Sequence, residues 1–151
     1  MAVLQYPEVI AGAYILNPDN ELLLVNGPKW KAGWMVPGGH VEYGENVLAT
    51  AAREAKEEVG LDVVPLGVIA VIEDLFPKSF HKRKHFIYIE VLCSSNGRKV
   101  RIDGNEIKGY RWFRPSEALK AVEERSIKKV IKILINRKNL RFIDIKASYS
   151  D

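Results

Sequence analysis

Residues 46–60, NVLATAAREAKEEVG, constrain this chain more than any other segment. Val47, Leu48, Ala51, Ala55 and Val59 recur at helical spacing and predict an amphipathic helix over 46–59, with Gly60 as its C-terminal cap. On the same helix Glu54, Glu57 and Glu58 stand at i, i+3 and i+4. That spacing places all three carboxylates on one face, with Cβ atoms about 5–6 Å apart. Three anions so close repel one another unless solvent or a cation compensates them. A solvated acidic face is one outcome. The other is a hard divalent ion such as Mg²⁺, which suits clustered carboxylate oxygens and shares substrate phosphate oxygens. Pro37-Gly38-Gly39 lies just upstream, where the backbone can bend sharply and present carbonyls or amides to a ligand.

The distribution of charge bears on the choice. With 23 Lys plus Arg against 19 Asp plus Glu the chain carries a net charge of +4, which alone suggests a polyanionic partner. Residues 42–74, however, hold eight acids and two bases, and residues 120–141 hold eight bases and two acids. The net charge is what remains between opposed blocks. The C-terminal block (Lys128, Lys129 and Lys132 on one predicted helix) reads as a solvated amphipathic face. It lacks interleaved aromatics, which argues against nucleic acid as the partner.

Other classes fall away quickly. A length of 151 residues predicts one domain, and a 47% hydrophobic fraction excludes disorder. The single cysteine, Cys93, rules out an intramolecular disulfide and argues against a cysteine-based zinc site. No apolar run approaches the ~18 residues of a membrane span, and no basic region precedes the first apolar run as in a secretory signal. A cytoplasmic protein without membrane contact is expected.

Strands are predicted at 8–16 and 21–26, joined as a hairpin by Asn17-Pro18-Asp19-Asn20. A loop over 27–40 contains a short extended stretch at 34–36. One bent strand or a strand pair follows at 62–74, interrupted by Pro65 and Gly67, then strands at 84–93 and 109–114. Pro115 opens a short helix, residues 124–136 form another, and the alternating tail NLRFIDIKA is read as a late strand. Strands and helices interleave without strict βα alternation, which predicts a mixed sheet flanked by helices.

From Gly39 to Leu61 the sequence is GHVEYGENVLATAAREAKEEVGL, with Gly39, Glu45, Arg53, Glu54, Glu57, Glu58 and Gly60 at fixed spacing. This resembles the Nudix box, the signature of the Nudix hydrolases. At about 7% usage per residue type, seven such coincidences at a given start occur about once in 10⁸. Ala55 stands where the box usually has a larger aliphatic residue, a change that affects packing and not the carboxylates. The opening hairpin, the WMVPGG approach to the box and the late RWF strand also look like the family's layout, so the resemblance covers roughly residues 8–120.

The resemblance implies a single Nudix domain over 1–151, an α/β/α sandwich with a central mixed β-sheet. It implies hydrolysis of a nucleoside diphosphate linked to another moiety, with Mg²⁺ or Mn²⁺. Glu57 and Glu58 would bind metal, joined by the Gly38 carbonyl. Glu54 would be a ligand or the base that deprotonates the attacking water, a role for which Glu106, six residues before Trp112, is the alternative. Arg53 and Glu45 would form a structural ion pair within the box framed by Gly39 and Gly60. A homodimer would be in keeping with the family.

Around the box, Trp30, Trp34 and Phe76 are candidate base-stacking walls, since stacking a base on an aromatic ring contributes ~1–3 kcal/mol. Lys82, Arg83 and Lys84, in the run HKRKH, read either as a phosphate clamp or as a solvated hairpin tip. The reaction expected is pyrophosphohydrolysis of a small nucleotide, a nucleoside triphosphate giving the monophosphate and pyrophosphate. A nucleoside diphosphate sugar or ADP-ribose is the alternative substrate, and a non-catalytic nucleotide- or nucleic-acid-binding module the alternative class.

Overall fold

A computed structural model describes residues 3–28, 31 and 33–149. Strands β1 (Glu8–Leu16) and β2 (Leu22–Asn26) form the expected hairpin, with Leu16 opposite Leu22. Asn17 builds the turn. Its side-chain oxygen accepts from the amides of Asp19 and Glu21 at 2.9 and 3.0 Å, an Asx arrangement that closes the turn. Strand β3 (Gly38–His40) pairs antiparallel with β1, and helix α1 (Val47–Val59) follows. Next come β4 (Val63–Leu75), β5 (His85–Ser95), β6 (Gly109–Phe113), α2 (Pro115–Ala121) and α3 (Arg125–Ile135).

The strands join one sheet in the order β4-β5-β1-β2-β6. Strands β1 and β5 run parallel through the centre, and the other pairs are antiparallel. Both central strands are apolar on both faces because both faces are covered. Alternation sends Ala11, Ala13, Ile15, Val91 and Cys93 toward α1, where they meet Ala51, Ala55 and Val59. Tyr14, Leu16 and Leu92 go the other way, to Ile127, Val130, Ile131 and Leu134 of α3. The fold is thus a mixed sheet between helices, as expected. Helix α1 is fixed at both ends. The Asn46 side chain accepts from the Ala49 amide at 2.9 Å, and Gly60 adopts a left-handed φ of 68° while its N–H closes onto Ala55 and Lys56.

Two expectations change. The loop before the box is more extended than its composition suggests: Met35 bridges Val25, and β3 forms directly behind it. The tail does not form a strand. A short 3₁₀ turn at Arg137–Asn139 is followed by a single bridge between Ile143 and Val68. β4 is bulged at Pro65/Gly67 and Val68/Ala70, so no continuous ladder edge faces the tail, while Phe142 packs where Gly67 has no side chain.

Helix α3 depends on this packing, because its opposite face is basic. Truncating the fully buried Ile131 to Ala is expected to lower unfolding free energy in urea by about 2–5 kcal/mol. A change near zero would show that α3 does not cover the sheet.

Candidate active site

The carboxylates of α1 meet the glycines of β3. The Gly38 amide donates to Glu58 at 3.1 Å. A Cβ on Gly39 would sit 2.3–2.7 Å from the carboxyl group of Glu54, so a larger residue would displace that carboxyl group. Arg53 holds the group together. Its Nε and Nη2 donate to the two oxygens of Glu45 at 2.7 and 3.0 Å, a bidentate pair. Its Nη1 donates to Glu54 at 2.9 Å and Glu57 at 3.1 Å, and Nη2 also reaches the His40 carbonyl at 3.1 Å. Glu45 is fixed further by the Thr50 hydroxyl at 2.7 Å. The expected Arg53–Glu45 pair is present, and it extends to the carboxylate face of α1.

Environment divides the carboxylates. The hydrogen bond from Arg53 holds Glu45 down to about 2, despite partial burial. Burial pushes Glu58 up to about 8, only partly offset by the Gly38 amide, with the charges of Glu54 and Glu106 raising it further. Burial also raises Glu54, against the pull of Arg53. Glu57 is exposed at the rim.

These groups line a cleft of about 390 Å³, within the range of small-ligand sites. Glu42, Glu54, Glu57, Glu58 and Glu106 all face it, against Arg53 and His40. Glu106 reaches the cleft from the loop before β6. Asp103 orders that loop by accepting from the amides of Ile107, Asn105 and Glu106 at 3.1, 3.1 and 3.4 Å. The opposite end of the cleft is apolar and aromatic, with Ile10, Met35, Val36, Phe80, Phe86 and Tyr88. Phe80 meets Phe86 edge-on with centroids 5.0 Å apart, and Phe86 lies 5.4 Å from Tyr88.

The structure therefore brings together Gly38, Gly39, Arg53, Glu54, Glu57, Glu58 and Glu106. It does not bring the expected aromatic walls to the cleft. Trp34 packs edge-on against Phe113, at 5.3 Å, among the residues around α3. Phe76 lies under the guanidinium of Arg83 at 3.9 Å, outside the cleft lining. Trp30 lies outside the described residues. Nor do Lys82, Arg83 or Lys84 line the cleft; Lys84 pairs with Glu8, which also bonds His40 at 2.6 Å. The actual aromatic wall was visible in the sequence as the alternation of Phe86 and Tyr88 along β5, but an apolar strand gives no sign of which face is open.

The oxygen donors present are those a hard divalent ion takes. Burial disfavours the ionised forms of Glu58 and Glu54, and a cation beside them would favour those forms, so the donor set fits such an ion. Among the described residues no three acidic, His or Cys side chains already converge as an ion-binding cluster. Arg53 stands between Glu54 and Glu57 instead.

A family model for the NUDIX domain matches residues 7–133. The chain belongs to the Nudix hydrolase family. It is a Nudix-type pyrophosphohydrolase. It is 33% identical over 116 residues to the pig bis(5'-nucleosyl)-tetraphosphatase [asymmetrical], covering 76% of this chain and 78% of that protein. It is 33% identical over 106 residues to a putative 8-oxo-dGTP diphosphatase of Bacillus subtilis (strain 168), covering 69% and 66%. Other relatives are longer: the chain spans 38% of the NAD-capped RNA hydrolase NudC of Stutzerimonas stutzeri (strain A1501), at 34% identity over 74% of its own length. The crystal structure of the MutT protein from Methanosarcina mazei Go1 shares the fold, with a TM-score of 0.73 at 23% identity over 91% of this chain and 99% of that one.

The Nudix box pair of Glu45 and Arg53 has a testable pH signature. Glu45 titrates far below an unfolded glutamate, so it stabilises the fold fully above about 4.5, and the contribution fades as pH falls toward about 2. Glu45→Gln is expected to lower Tm at pH 7, with the gap to wild type closing between pH 4.5 and 2. A gap that does not change with pH would contradict the ion pair.

Proposed function

We propose that this Nudix domain, acting as one unit over its 151 residues, hydrolyses a nucleoside triphosphate to the monophosphate and pyrophosphate with Mg²⁺. One observation carries the reading. Among the described residues the cleft presents five carboxylates, Glu42, Glu54, Glu57, Glu58 and Glu106, against one arginine, and that arginine is engaged by acids already. A polyphosphate is repelled from such a surface unless divalent cations enter with it. Mn²⁺ meets the same donor requirement.

Glu57, Glu58 and the Gly38 carbonyl would hold the ion, with Glu54 beside them. When bound, the ion supplies charge compensation for the phosphates and lowers the pKa of water. The remaining work falls to the chain. Arg53 fixes Glu54 through Nη1, and Gly39 backs it, so its carboxylate keeps one orientation. That fixed position favours Glu54 over the loop residue Glu106 as acceptor of the attacking water's proton. Water adds to phosphorus, the phosphoanhydride bond breaks, and pyrophosphate leaves with its electron pair. The aromatic end of the cleft, at Phe80 and Tyr88, would take the base. A 390 Å³ cleft suits one nucleotide.

A second reading, asymmetric cleavage of a dinucleoside tetraphosphate, is favoured by the pig relative, matched over 78% of its length. A panel of nucleotides with Mg²⁺, scored for pyrophosphate against nucleotide products, separates the two. Removing one electrostatic catalytic group commonly costs ~10²–10³ in kcat, and Glu57→Gln is expected to fall in that range with unchanged circular dichroism. Near wild-type turnover by Glu57→Gln would contradict the assignment.

A further inference from the structure

The centre of the sheet contains a feature that hydrolysis at the carboxylate helix does not use. Glu90 is an acid inside the apolar strand β5, and it is 4% exposed. Its Oε2 has no hydrogen-bond partner. Leaving a buried acceptor unmatched costs ~1–3 kcal/mol, so a fold that retains one at its centre calls for an explanation.

Its cross-strand neighbours are small. Across the sheet Glu90 pairs with Ala70 on β4 and Gly12 on β1, and Gly12 pairs in turn with Gly38 on β3. A Cβ on Gly12 would lie 1.9 Å from Glu90 Oε2, so glycine is what leaves the carboxyl group its place. The row of small residues leaves a hollow over the sheet on the side of α3. That hollow is a cavity of about 70 Å³, room for about two waters. It adjoins the main cleft, sharing Ile10, Met35, Val36, Gly38 and Tyr88 with it. The hollow therefore extends the cleft beyond its aromatic wall.

Its polar lining is mostly acceptor. Asp74, Glu90 and Glu124 face it, with Tyr88 and Ser126 and, among the described residues, no Lys, Arg or His. Glu124 already accepts from Ser79 at 2.8 Å. A ligand edge that enters must bring N–H donors, and phosphate is excluded. Purine and pyrimidine edges differ in this respect. Guanine offers adjacent donors at N1–H and the 2-amino group, uracil offers one donor between two acceptors, and adenine and cytosine each set an amino group beside a ring-nitrogen acceptor.

We propose that Glu90 is the base-recognition residue of this enzyme, and that with Asp74 it selects nucleotides whose base presents adjacent N–H donors, as guanine does. The inference rests on the nucleotide-hydrolase reading above and names its substrate class. Burial pushes Glu90 up to about 8 and is the leading cause raising Asp74, and a pair of N–H donors entering beside them would favour the ionised carboxylates that accept both. The base lies against Tyr88 with its polar edge over Gly12, while the phosphates extend past Gly38 to the carboxylates of α1.

Equilibrium binding of GMP, AMP, CMP and UMP in the presence of Mg²⁺ tests this without turnover. Wild type is expected to bind GMP at least tenfold more tightly than the other three. Glu90→Gln keeps one acceptor and should lose part of that preference. Glu90→Leu keeps the volume, removes both acceptors and should abolish it. Circular dichroism and melting check that each variant is folded, and Gly12→Ala, which displaces the carboxyl group and retains the acid, should weaken GMP selectively as well. Equal binding of all four monophosphates by wild type would overturn the proposal, as would a uniform loss across the four in Glu90→Leu. So would a gain in stability with base preference intact, which would make Glu90 an internal polar residue without a ligand. Absence of nucleoside triphosphate hydrolysis with GMP preference intact would instead remove the reading of the reaction and leave the pocket standing.

Discussion

The guanidinium of Arg53 is the interaction on which the site depends. One turn of helix presents more negative charge than it tolerates alone, and a single planar cation with five donors spreads across it. The fork takes both oxygens of Glu45, then Glu54, Glu57 and the His40 carbonyl. Lysine, a point charge with no fork, does not bridge so many acceptors at fixed angles. By tying α1 to the loop before it and to β3, Arg53 sets where the carboxylates of α1 stand. The rest of the fold positions that assembly: Asn46 and Gly60 fix the helix ends, and the apolar stripe from Ala51 to Val59 seats it on the sheet.

Electrostatics and packing meet at the two glycines of β3. Gly38 donates its amide to Glu58, and Gly39 leaves room for Glu54. The backbone thus comes within hydrogen-bonding distance of Glu58, whose ionised form burial disfavours. This arrangement is unfavourable without a cation and useful with one. The same device recurs deeper in the sheet, where Gly12 makes room for Glu90. In both places a missing side chain on β1 or β3 admits an acid from a neighbouring element, and both acids face connected cavities.

The legibility of the sequence follows the range of the interactions. The carboxylate face, the Glu45–Arg53 pair and the Gly60 cap arise from spacing within one helix and the turn before it, so a linear pattern carries them. The hairpin was readable for the same reason, because Asn17 supplies its own turn. What lay hidden depends on which strands become neighbours. Trp34 looked like a stacking wall, yet it packs against Phe113 because β2 and β6 pair. Arg83 and Lys84 looked free to hold phosphate, yet one covers Phe76 and the other meets Glu8, across the parallel pairing of β5 with β1. Glu90 gave a signal, a lone acid in an apolar strand, whose meaning appears only when Gly12 and Ala70 stand beside it.

The cleft, among its described residues, is too acidic to admit polyphosphate by itself. Affinity for a non-hydrolysable nucleoside triphosphate analogue, measured by calorimetry with Mg²⁺ and then with EDTA, tests this directly. Binding should be clear with Mg²⁺ and lost with EDTA. Equal affinity in both would show that the chain's own groups hold the phosphates, and would contradict the role assigned to the carboxylates of α1.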